Sequence, residues 1–173
     1  MTRHGRAAAS ALAAAALAAS ACAPGTEGGS RGRAAPDFAL ASLGGGTVAL
    51  ADLRGKVVLL HFWATWCAPC KVETPRLVDL DRRYRSAGLA ILAVSMDDAG
   101  HEQAAAAFAA AHGVTFPVLR GTADIARAYG GARLLPTSVL IGRDGALLET
   151  IAGLPGEHEL EAAVRRALAR PGG

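Results

Sequence analysis

Two cysteines, Cys67 and Cys70, are separated by two residues at the point where a predicted strand passes into a predicted helix. A disulfide between them can close within one helical turn. A thiol at the first turn of a helix faces unpaired backbone N–H groups and the positive end of the helix dipole, which favour its thiolate. Because the thiolate is the form that attacks a disulfide, this pair predicts thiol:disulfide exchange chemistry.

The position of each cysteine predicts its role in such an exchange. Cys67 lies at the exposed N-terminal end of the predicted helix and is the expected nucleophile. Cys70, one turn farther into the helix, is the expected resolving thiol. A structural disulfide and half of a zinc site are the alternatives at this spacing. Zinc needs about four ligands, usually with a second Cys or His pair at short spacing, and the sequence contains no such pair. We therefore predict no metal, and no cofactor beyond the redox-active disulfide.

The elements around the two cysteines can be predicted from apolar runs and turn residues. Residues 57–62 form an apolar run typical of a buried strand, and residues 69–85 follow as a helix that Pro75 should kink. A small hairpin is predicted before them, over residues 38–50. The later segments are a strand, a helix, a short strand, a short helix, a strand pair and a terminal helix, at residues 89–94, 102–111, 116–119, 123–129, 138–151 and 160–168.

Two separated segments of the chain resemble those of a known family. The first, FWATWCAPCKVETP at residues 62–75, resembles the active-site segment of the TlpA/ResA/CcmG group of extracytoplasmic thioredoxin-like thiol:disulfide oxidoreductases. The second, LPTSVLI at residues 135–141, with Arg143, Asp144 and Gly145 after it, resembles the cis-proline strand and hairpin of that group. With both motifs in the same order, the resemblance covers residues 35–170.

The order of the predicted elements agrees with that resemblance. Strand-helix-strand units followed by an antiparallel pair and a helix describe an α/β fold, a thioredoxin-like three-layer sandwich. The expected sandwich carries an N-terminal β-hairpin and a central αβα insert, which in the resembling group distinguishes it from plain thioredoxin. The chain has 173 residues, 51% of them hydrophobic, which suffices for one such domain over residues 36–170.

The resemblance implies roles for residues near the second motif. Pro136 would be a cis-proline that faces the disulfide and turns the Leu135 backbone toward a substrate peptide, although a trans proline is the default at a strand edge. Trp66, Leu135, Pro136 and Thr137 are accordingly the expected substrate-binding residues. The chain departs from the group at Leu134, where glycine is frequent.

Two further side chains are candidate catalytic groups. Glu73 lies three residues past Cys70 on the same helical face, where a partly buried carboxyl could exchange protons with that thiol, as the resemblance implies; an exposed helix carboxylate is the alternative. His61 lies six residues before Cys67, where thioredoxin has a buried Asp and the resembling group often has Asn. It is either a hydrogen-bonded core histidine or a proton relay near neutral pH.

Two adjacent acidic residues, Asp97 and Asp98, lie at the end of a predicted strand. Two adjacent carboxylates could form part of a metal site or act as an acid pair. Because a helix is predicted to follow them, we interpret them as loop and N-cap groups.

The N-terminal residues predict export and not a folded element. Residues 1–21 combine a basic start, an Ala/Leu stretch and small residues before Cys22, which is signal-peptide architecture and too short for a membrane span. The segment also resembles a bacterial lipobox, which implies lipidation of Cys22. Cleavage after Ala21 by an ordinary signal peptidase and a disordered leader are the alternatives. Residues 22–35, rich in Gly, Ser, Pro and Arg, predict a flexible tether.

The net charge of the chain offers no support for a nucleic-acid partner. The formal charge of +3 falls to +1 once Arg3 and Arg6 leave with the signal peptide, because 16 basic residues then face 15 acidic ones. A net charge this small gives no sign of a nucleic-acid-binding protein.

These features together predict an envelope thiol:disulfide oxidoreductase that is lipid-anchored on the periplasmic side and monomeric. The resemblance implies a reductant of protein disulfides in cytochrome c maturation or copper-site assembly, recharged by a membrane thiol transporter of the CcdA/DsbD kind. One alternative is a Cu(I)-binding assembly factor that uses the same two thiols, although Cys-x-x-x-Cys spacing would favour it more. A peroxiredoxin-like peroxidase is the other, but its Pro-x-x-x-Thr-x-x-Cys pattern is missing, since no proline closely precedes Cys67.

Overall fold

The structure is a computed structural model that describes residues 32–130, 134–156 and 158–171. The predicted signal peptide and the predicted lipidation site at Cys22 lie outside these residues. The strands are β1 (Ala39–Ala41), β2 (Thr47–Ala49), β3 (Val57–Trp63), β4 (Leu89–Ser95), β5 (Val118–Arg120), β6 (Thr137–Ile141) and β7 (Leu147–Ala152). The α-helices are α1 (Ala68–Tyr84), α2 (Glu102–Ala111), α3 (Ala123–Tyr129) and α4 (Glu159–Ala169). Among these described helices, none is long and apolar enough to cross a membrane.

The central sheet contains five of these strands in the order β5-β4-β3-β6-β7. All seven residues of β3 are buried, which explains why its sequence is an uninterrupted apolar run apart from His61. β4 runs parallel to β3, and the last residues of the two strands, Ser95 and Trp63, pair with each other. The loops that follow β3 and β4 therefore meet at one edge of the sheet.

Two apolar cores cover the two faces of the sheet and make three layers. One core joins β3 to α1, α2 and α4, through residues that include Leu59, Leu77, Ala105 and Val164. The other core joins the opposite face of β3 to the β1–β2 hairpin and α3, through residues that include Leu40, Leu60 and Ile125. The predicted three-layer α/β sandwich is confirmed.

The predicted αβα insert consists of α2, β5 and α3. β5 pairs in parallel with β4 and extends the sheet at its edge. Thr122 is the N-cap of α3, and its side chain accepts a hydrogen bond from the Ile125 N–H (3.3 Å). Gly130, in the left-handed conformation (φ 68°), is the C-cap. The predicted bounds of α2 and α3 agree with the structure at every residue.

The folded part of the chain begins before the predicted boundary at Pro36. The Ala35 N–H donates to the Gly145 carbonyl (2.9 Å), and Ala34 forms an antiparallel bridge with Ala146. These residues, expected in the tether, are thus attached to the sheet next to β7. Backbone pairing at a sheet edge requires no apolar pattern, so the composition of the segment gave no sign of it.

Candidate active site

The disulfide lies at the N-terminus of α1, at the sheet edge where β3 ends. Cys67 is the N-cap residue of α1 and is bonded to Cys70, with the two Cα atoms 5.3 Å apart. The Cys70 N–H donates to the Cys67 sulfur (3.2 Å), so the first helical turn supplies a donor that a Cys67 thiolate can use. Pro69 lies in this turn at no cost, because the first N–H groups of a helix lack intrahelical partners. The helix continues through Pro75 to Tyr84.

The two cysteine residues differ in accessibility in the direction that the sequence predicts, but less than expected. Cys67 is 4% exposed and Cys70 is 0% exposed. Cys67 is therefore nearly buried and does not lie at an exposed position, because it packs into the same core as Trp63 and Ala64. Of the two cysteines, only Cys67 offers any surface to an incoming disulfide, which supports its assignment as the nucleophile.

Glu73 lies one turn past Cys70 on α1 and is fully buried, at 0% exposed. Neither of its carboxyl oxygens has a hydrogen-bond partner within the described residues. Burial raises the pKa of Glu73 to about 7, and the positive charge of Arg76 opposes this rise. The alternative of an exposed helix carboxylate is therefore wrong. A buried carboxyl with this pKa can take up and release a proton near neutral pH.

His61 lies in the central strand and is 1% exposed, with its Nδ1 2.9 Å from the Ser138 hydroxyl on β6. Burial lowers the pKa of His61 to about 3, so its ring stays neutral in the range where histidines usually titrate. Desolvation by burial is the cause of this lowered pKa, which favours the first of the two alternatives for His61 over a relay that titrates near neutral pH. Apolar side chains such as Leu77 and Phe108 form much of a cavity of about 10 Å³ beside the ring. The structure favours a hydrogen-bonded core histidine.

The Leu135–Pro136 peptide bond is cis, as the resemblance implies. Pro136 directly precedes β6, whose first residue, Thr137, pairs with Phe62 near the end of β3. The Thr137 hydroxyl donates to the Leu134 carbonyl (2.6 Å), and the Gly153 N–H donates to the Pro136 carbonyl (2.8 Å). These bonds hold the proline loop beside the strand that leads to the disulfide.

Large exposed apolar side chains of the described residues occur on the segments that border this site. They are Trp66 (68% exposed), Val72 (53%), Leu134 (52%) and Leu154 (42%). We call these four residues the active-site apolar surface. Exposed apolar groups near a reactive centre indicate a binding surface. Single exposed apolar residues scattered over a protein, in contrast, are normal.

The backbone connections explain how this surface assembles. Leu154 follows Gly153, which is bonded to Pro136, and the Arg76 guanidinium of α1 donates to the Pro155 carbonyl (3.1 Å). The loop after β7 is thereby tied both to the proline loop and to the active-site helix. The sequence predicted Trp66 at this surface but missed the other three residues. One of these three, Leu134, could have been identified from the sequence, because it is an apolar residue where the resembling group frequently has glycine.

Asp97 and Asp98 do not have the predicted N-cap role. The N-cap residue of α2 is His101, whose side chain makes no capping hydrogen bond. The prediction is wrong because α2 begins farther along the chain. Asp97 instead accepts a hydrogen bond from the Thr65 N–H (3.0 Å), 32 residues away in sequence. Sequence reasoning missed this contact because only the parallel pairing of β3 and β4 brings the two residues together.

Metal ligands are sparse around the disulfide. In the described parts of the chain, no group of three His, Cys, Asp or Glu side chains is placed to hold a metal ion. A Cu(I) ion bound by Cys67 and Cys70 would find no third ligand of these types among the same residues.

Comparisons with known proteins place the chain among redox proteins. The model of the AhpC/TSA family matches residues 31–150. The thiol-disulfide oxidoreductase ResA of Bacillus anthracis is 36% identical over 135 residues, which are 78% of this chain and 77% of that protein. ResA of Bacillus subtilis is 37% identical over 130 residues, which are 75% of this chain and 71% of that protein. The similarity thus extends over the folded domain and is not confined to the cysteine motif.

A solved structure has the same fold. The chain is similar to a protein described as the thiol:disulfide interchange protein DsbE from Chlorobium tepidum, with a TM-score of 0.73 and 36% sequence identity. The match covers 80% of this chain and 98% of that one.

Proposed function

The chain belongs to the AhpC/TSA family and is a thiol:disulfide oxidoreductase, and on this premise we propose that it reduces protein disulfides in the bacterial cell envelope. The observation that carries the function is the Cys67–Cys70 disulfide at the N-cap of α1, in which Cys67 retains a small exposed fraction and Cys70 is fully buried. We propose that this pair is the only redox group and that no separate cofactor takes part.

The exchange proceeds in two steps in the proposed direction. The Cys67 thiolate attacks one sulfur of a substrate disulfide, and the other substrate sulfur leaves as a thiolate. Cys70 then loses its proton and attacks the Cys67 sulfur, which breaks the mixed disulfide and releases the second substrate thiolate. Two electrons pass to the substrate, and the protein ends as the Cys67–Cys70 disulfide. Glu73, whose pKa burial raises to about 7, is the proposed acceptor of the Cys70 proton.

The burial of both sulfurs supports the reducing direction. A site that strongly stabilises the thiolate of its reduced form is a strong oxidant, as in DsbA. Here Cys70 is fully buried near a carboxyl group, and Cys67 accepts a hydrogen bond from one backbone N–H. Apolar surroundings disfavour thiolates. The surroundings therefore stabilise the reduced form of the pair only a little, and the pair donates its electrons readily.

The proposed location and partners follow from the N-terminal segment and from the chemistry. Cys22 would carry the lipid, and the tether after it would hold the domain on the periplasmic side of the membrane. Each turnover leaves a disulfide in an oxidising compartment, so an electron supply is needed; a membrane thiol transporter of the CcdA/DsbD kind is the proposed source. Apocytochrome c or a copper-site protein is the proposed substrate.

The reduction potential of the Cys67–Cys70 couple tests the proposed direction. The protein is equilibrated with defined ratios of reduced and oxidised dithiothreitol, and the reduced fraction is read by alkylation and mass spectrometry. We expect a value near that of thioredoxin, about −270 mV. A value near that of DsbA, about −120 mV, would make the protein an oxidant and overturn the proposal.

A further inference from the structure

We propose that Asp97 is a positioning residue for thiol:disulfide exchange, because its carboxylate holds the loop that presents Trp66 and Cys67. The inference rests on nucleophilic attack by Cys67, which the proposed function includes, and not on the direction in which the enzyme runs. Asp97 does not need to touch the reacting sulfurs, since it acts through Thr65.

The Asp97 carboxylate accepts hydrogen bonds from three donors. Thr65 supplies two of them, its backbone N–H (3.0 Å) and its hydroxyl (2.6 Å). The Ser95 hydroxyl supplies the third (2.8 Å) and in turn accepts from the Asp97 N–H (3.2 Å). Hydrogen bonds to a carboxylate are stronger than those between neutral groups. The two bonds with Ser95 fix the orientation in which the carboxylate meets Thr65.

We call the hydrogen bonds of Asp97 with Thr65 and Ser95 the clamp. The clamp connects a short loop to a rigid strand. Residues 64–67 join β3 to α1, and Ser95 is the last residue of β4. The Met96 N–H donates to the Trp63 carbonyl (2.7 Å), which ties the two strand ends together just before the clamp. A group held from a strand of the central sheet is positioned more precisely than one held from another loop.

Thr65 lies two residues before Cys67, so its position limits where the sulfur can lie. The Cys67 N–H donates to the Ala64 carbonyl (3.1 Å), which closes a turn around Thr65. At the end of this turn the Cys67 sulfur accepts the Cys70 N–H (3.2 Å). If Asp97 released Thr65, the turn could rotate and the sulfur would leave its helical donor. Misplacement of a reacting group by about 1 Å can cost about 100-fold in rate.

The charge of Asp97 and its positioning effect act on the Cys67 thiolate with opposite signs. A carboxylate in this region disfavours a nearby thiolate, whereas a correctly placed N-cap favours it. Removing the charge alone should therefore make the thiolate form more easily. Removing the clamp should make it form less easily. Two substitutions at Asp97 can separate these effects.

The experiment follows the alkylation of Cys67 by iodoacetamide in the reduced protein, over about pH 4–10, which spans thiol titration. For Asp97→Ala, we expect a rate about 10-fold lower at neutral pH and a pH profile whose midpoint moves upward. For Asp97→Asn, the amide oxygen still accepts from Thr65, so we expect a rate within about 3-fold of wild type and a midpoint that is unchanged or lower.

Two results would overturn the proposal. If Asp97→Ala and Asp97→Asn both lower the midpoint by the same amount, only the charge of Asp97 matters. If both keep the wild-type profile while the melting temperature falls, its role is structural. Neither result depends on the reduction potential, so a wrong direction for the enzyme and a wrong role for Asp97 are distinguishable.

A second substitution tests whether the effect passes through Thr65. Thr65→Val removes the hydroxyl bond but keeps the backbone bond, and we expect a smaller loss of alkylation rate in the same direction. When added to Asp97→Ala, it should cause no further loss, because the clamp is already gone. Fully additive losses would contradict the proposal.

Asp98→Ala is the matched control. Asp98 is the exposed neighbour of Asp97, and its substitution should leave the alkylation profile of Cys67 at wild type. Asp97 is half-buried and borders an open cavity of about 590 Å³, so water can fill the space left by Asp97→Ala. We therefore expect that variant to fold.

Discussion

Glu73 follows Cys70 by one turn of α1, and both side chains are completely buried. A thiol and a carboxyl group thus share one helical face beneath the reachable sulfur of Cys67. During exchange, the buried thiol must lose a proton without contact with water. The carboxyl group nearby on its own helix has a pKa raised by burial to about 7, which suits proton transfer at neutral pH. The step in which Cys70 resolves the mixed disulfide is therefore where Glu73 should act.

The difference in burial between the two cysteines predicts different effects of removing each. Cys70→Ser should accumulate a mixed disulfide with a substrate, because attack by Cys67 remains and resolution is lost. Cys67→Ser should form none, since the remaining thiol is 0% exposed. Non-reducing gels and mass spectrometry of adducts measure both. Adducts on Cys67→Ser but not on Cys70→Ser would reverse the roles.

Glu73→Gln should stabilise the protein at alkaline pH. In the folded state the pKa of Glu73 is about 7, above its ordinary value of 4.5, so the folded protein binds an extra proton between these values and loses stability as the pH rises through them. The stability of Glu73→Gln relative to wild type, measured as the difference in unfolding free energy, should be about 3 kcal/mol greater at pH 8 than at pH 4. Urea denaturation at both pH values measures the difference.

Glu149→Gln is the control for this experiment. Glu149 lies on β7 and forms an ion pair with Arg166, in which both side chains are well exposed. An exposed pair contributes about 0–1 kcal/mol, so its loss should change stability little between the two pH values. If Glu73→Gln behaves like this control, burial does not raise the Glu73 pKa, and the proposed proton acceptor is lost with it.

Much of the fold could be predicted from the sequence because it depends on local patterns. The bounds of α2 and α3 follow from Ala-rich periodicity, from the Thr122 cap and from the glycines after each helix. The central strand is apolar because both of its faces are covered. Such signals lie within a few residues of the element that they define, so one sequence contains them.

The rest could not be predicted because it depends on residues that are distant in sequence. The clamp from Asp97 to Thr65 requires the pairing of β3 with β4. The loop of Leu154 is tied to the site by the Gly153 bond to Pro136 and by the Arg76 bond to Pro155. The choice between the two alternatives for His61 could not be made from the sequence either. Its pKa depends on how completely the sheet and helices exclude water, which is a property of packing and not of spacing.

Cys22 should be the first residue of the mature protein and should carry lipid. The signal-like residues before it and the tether-like residues after it motivate this prediction. Mass spectrometry of the N-terminal peptide, together with detergent partitioning, measures it. Cys22→Ser should release the domain into the soluble fraction with its disulfide exchange activity unchanged. A mature protein that starts at an unmodified Cys22 would contradict the anchor.

His61→Asn separates a core role from a catalytic one. Because burial lowers the pKa of His61 to about 3, its ring is neutral between pH 5 and 8, and the resolving rate should keep its wild-type pH profile there. The unfolded histidine takes up a proton below its ordinary pKa of 6.5 while the folded one does not, so wild type loses stability as the pH falls. Stopped-flow kinetics and acid denaturation measure the two effects.

For His61→Asn, the loss of unfolding free energy between about pH 7 and pH 4 should be about 3 kcal/mol smaller than for wild type. A resolving step that slows and changes its pH dependence near neutrality would instead restore the proton relay. If wild type and His61→Asn instead lost the same unfolding free energy between these pH values, the buried imidazole would take up its proton without unfolding.

The active-site apolar surface should matter for protein substrates and not for small ones. Leu134 is 52% exposed beside the cis-proline loop, and Leu154 is 42% exposed on the loop tied to it. A polypeptide substrate has surface beyond its disulfide that can contact the leucines, whereas a small disulfide such as oxidised glutathione has little. Complete burial of a leucine side chain contributes about 1.5–3 kcal/mol to binding.

Leu134→Ser and Leu154→Ser should therefore each raise KM for a protein disulfide about 3- to 10-fold, with kcat nearly constant. The rate with the small disulfide should stay unchanged. Equal losses with both substrates would mean that the leucines support the loop instead of contacting the substrate.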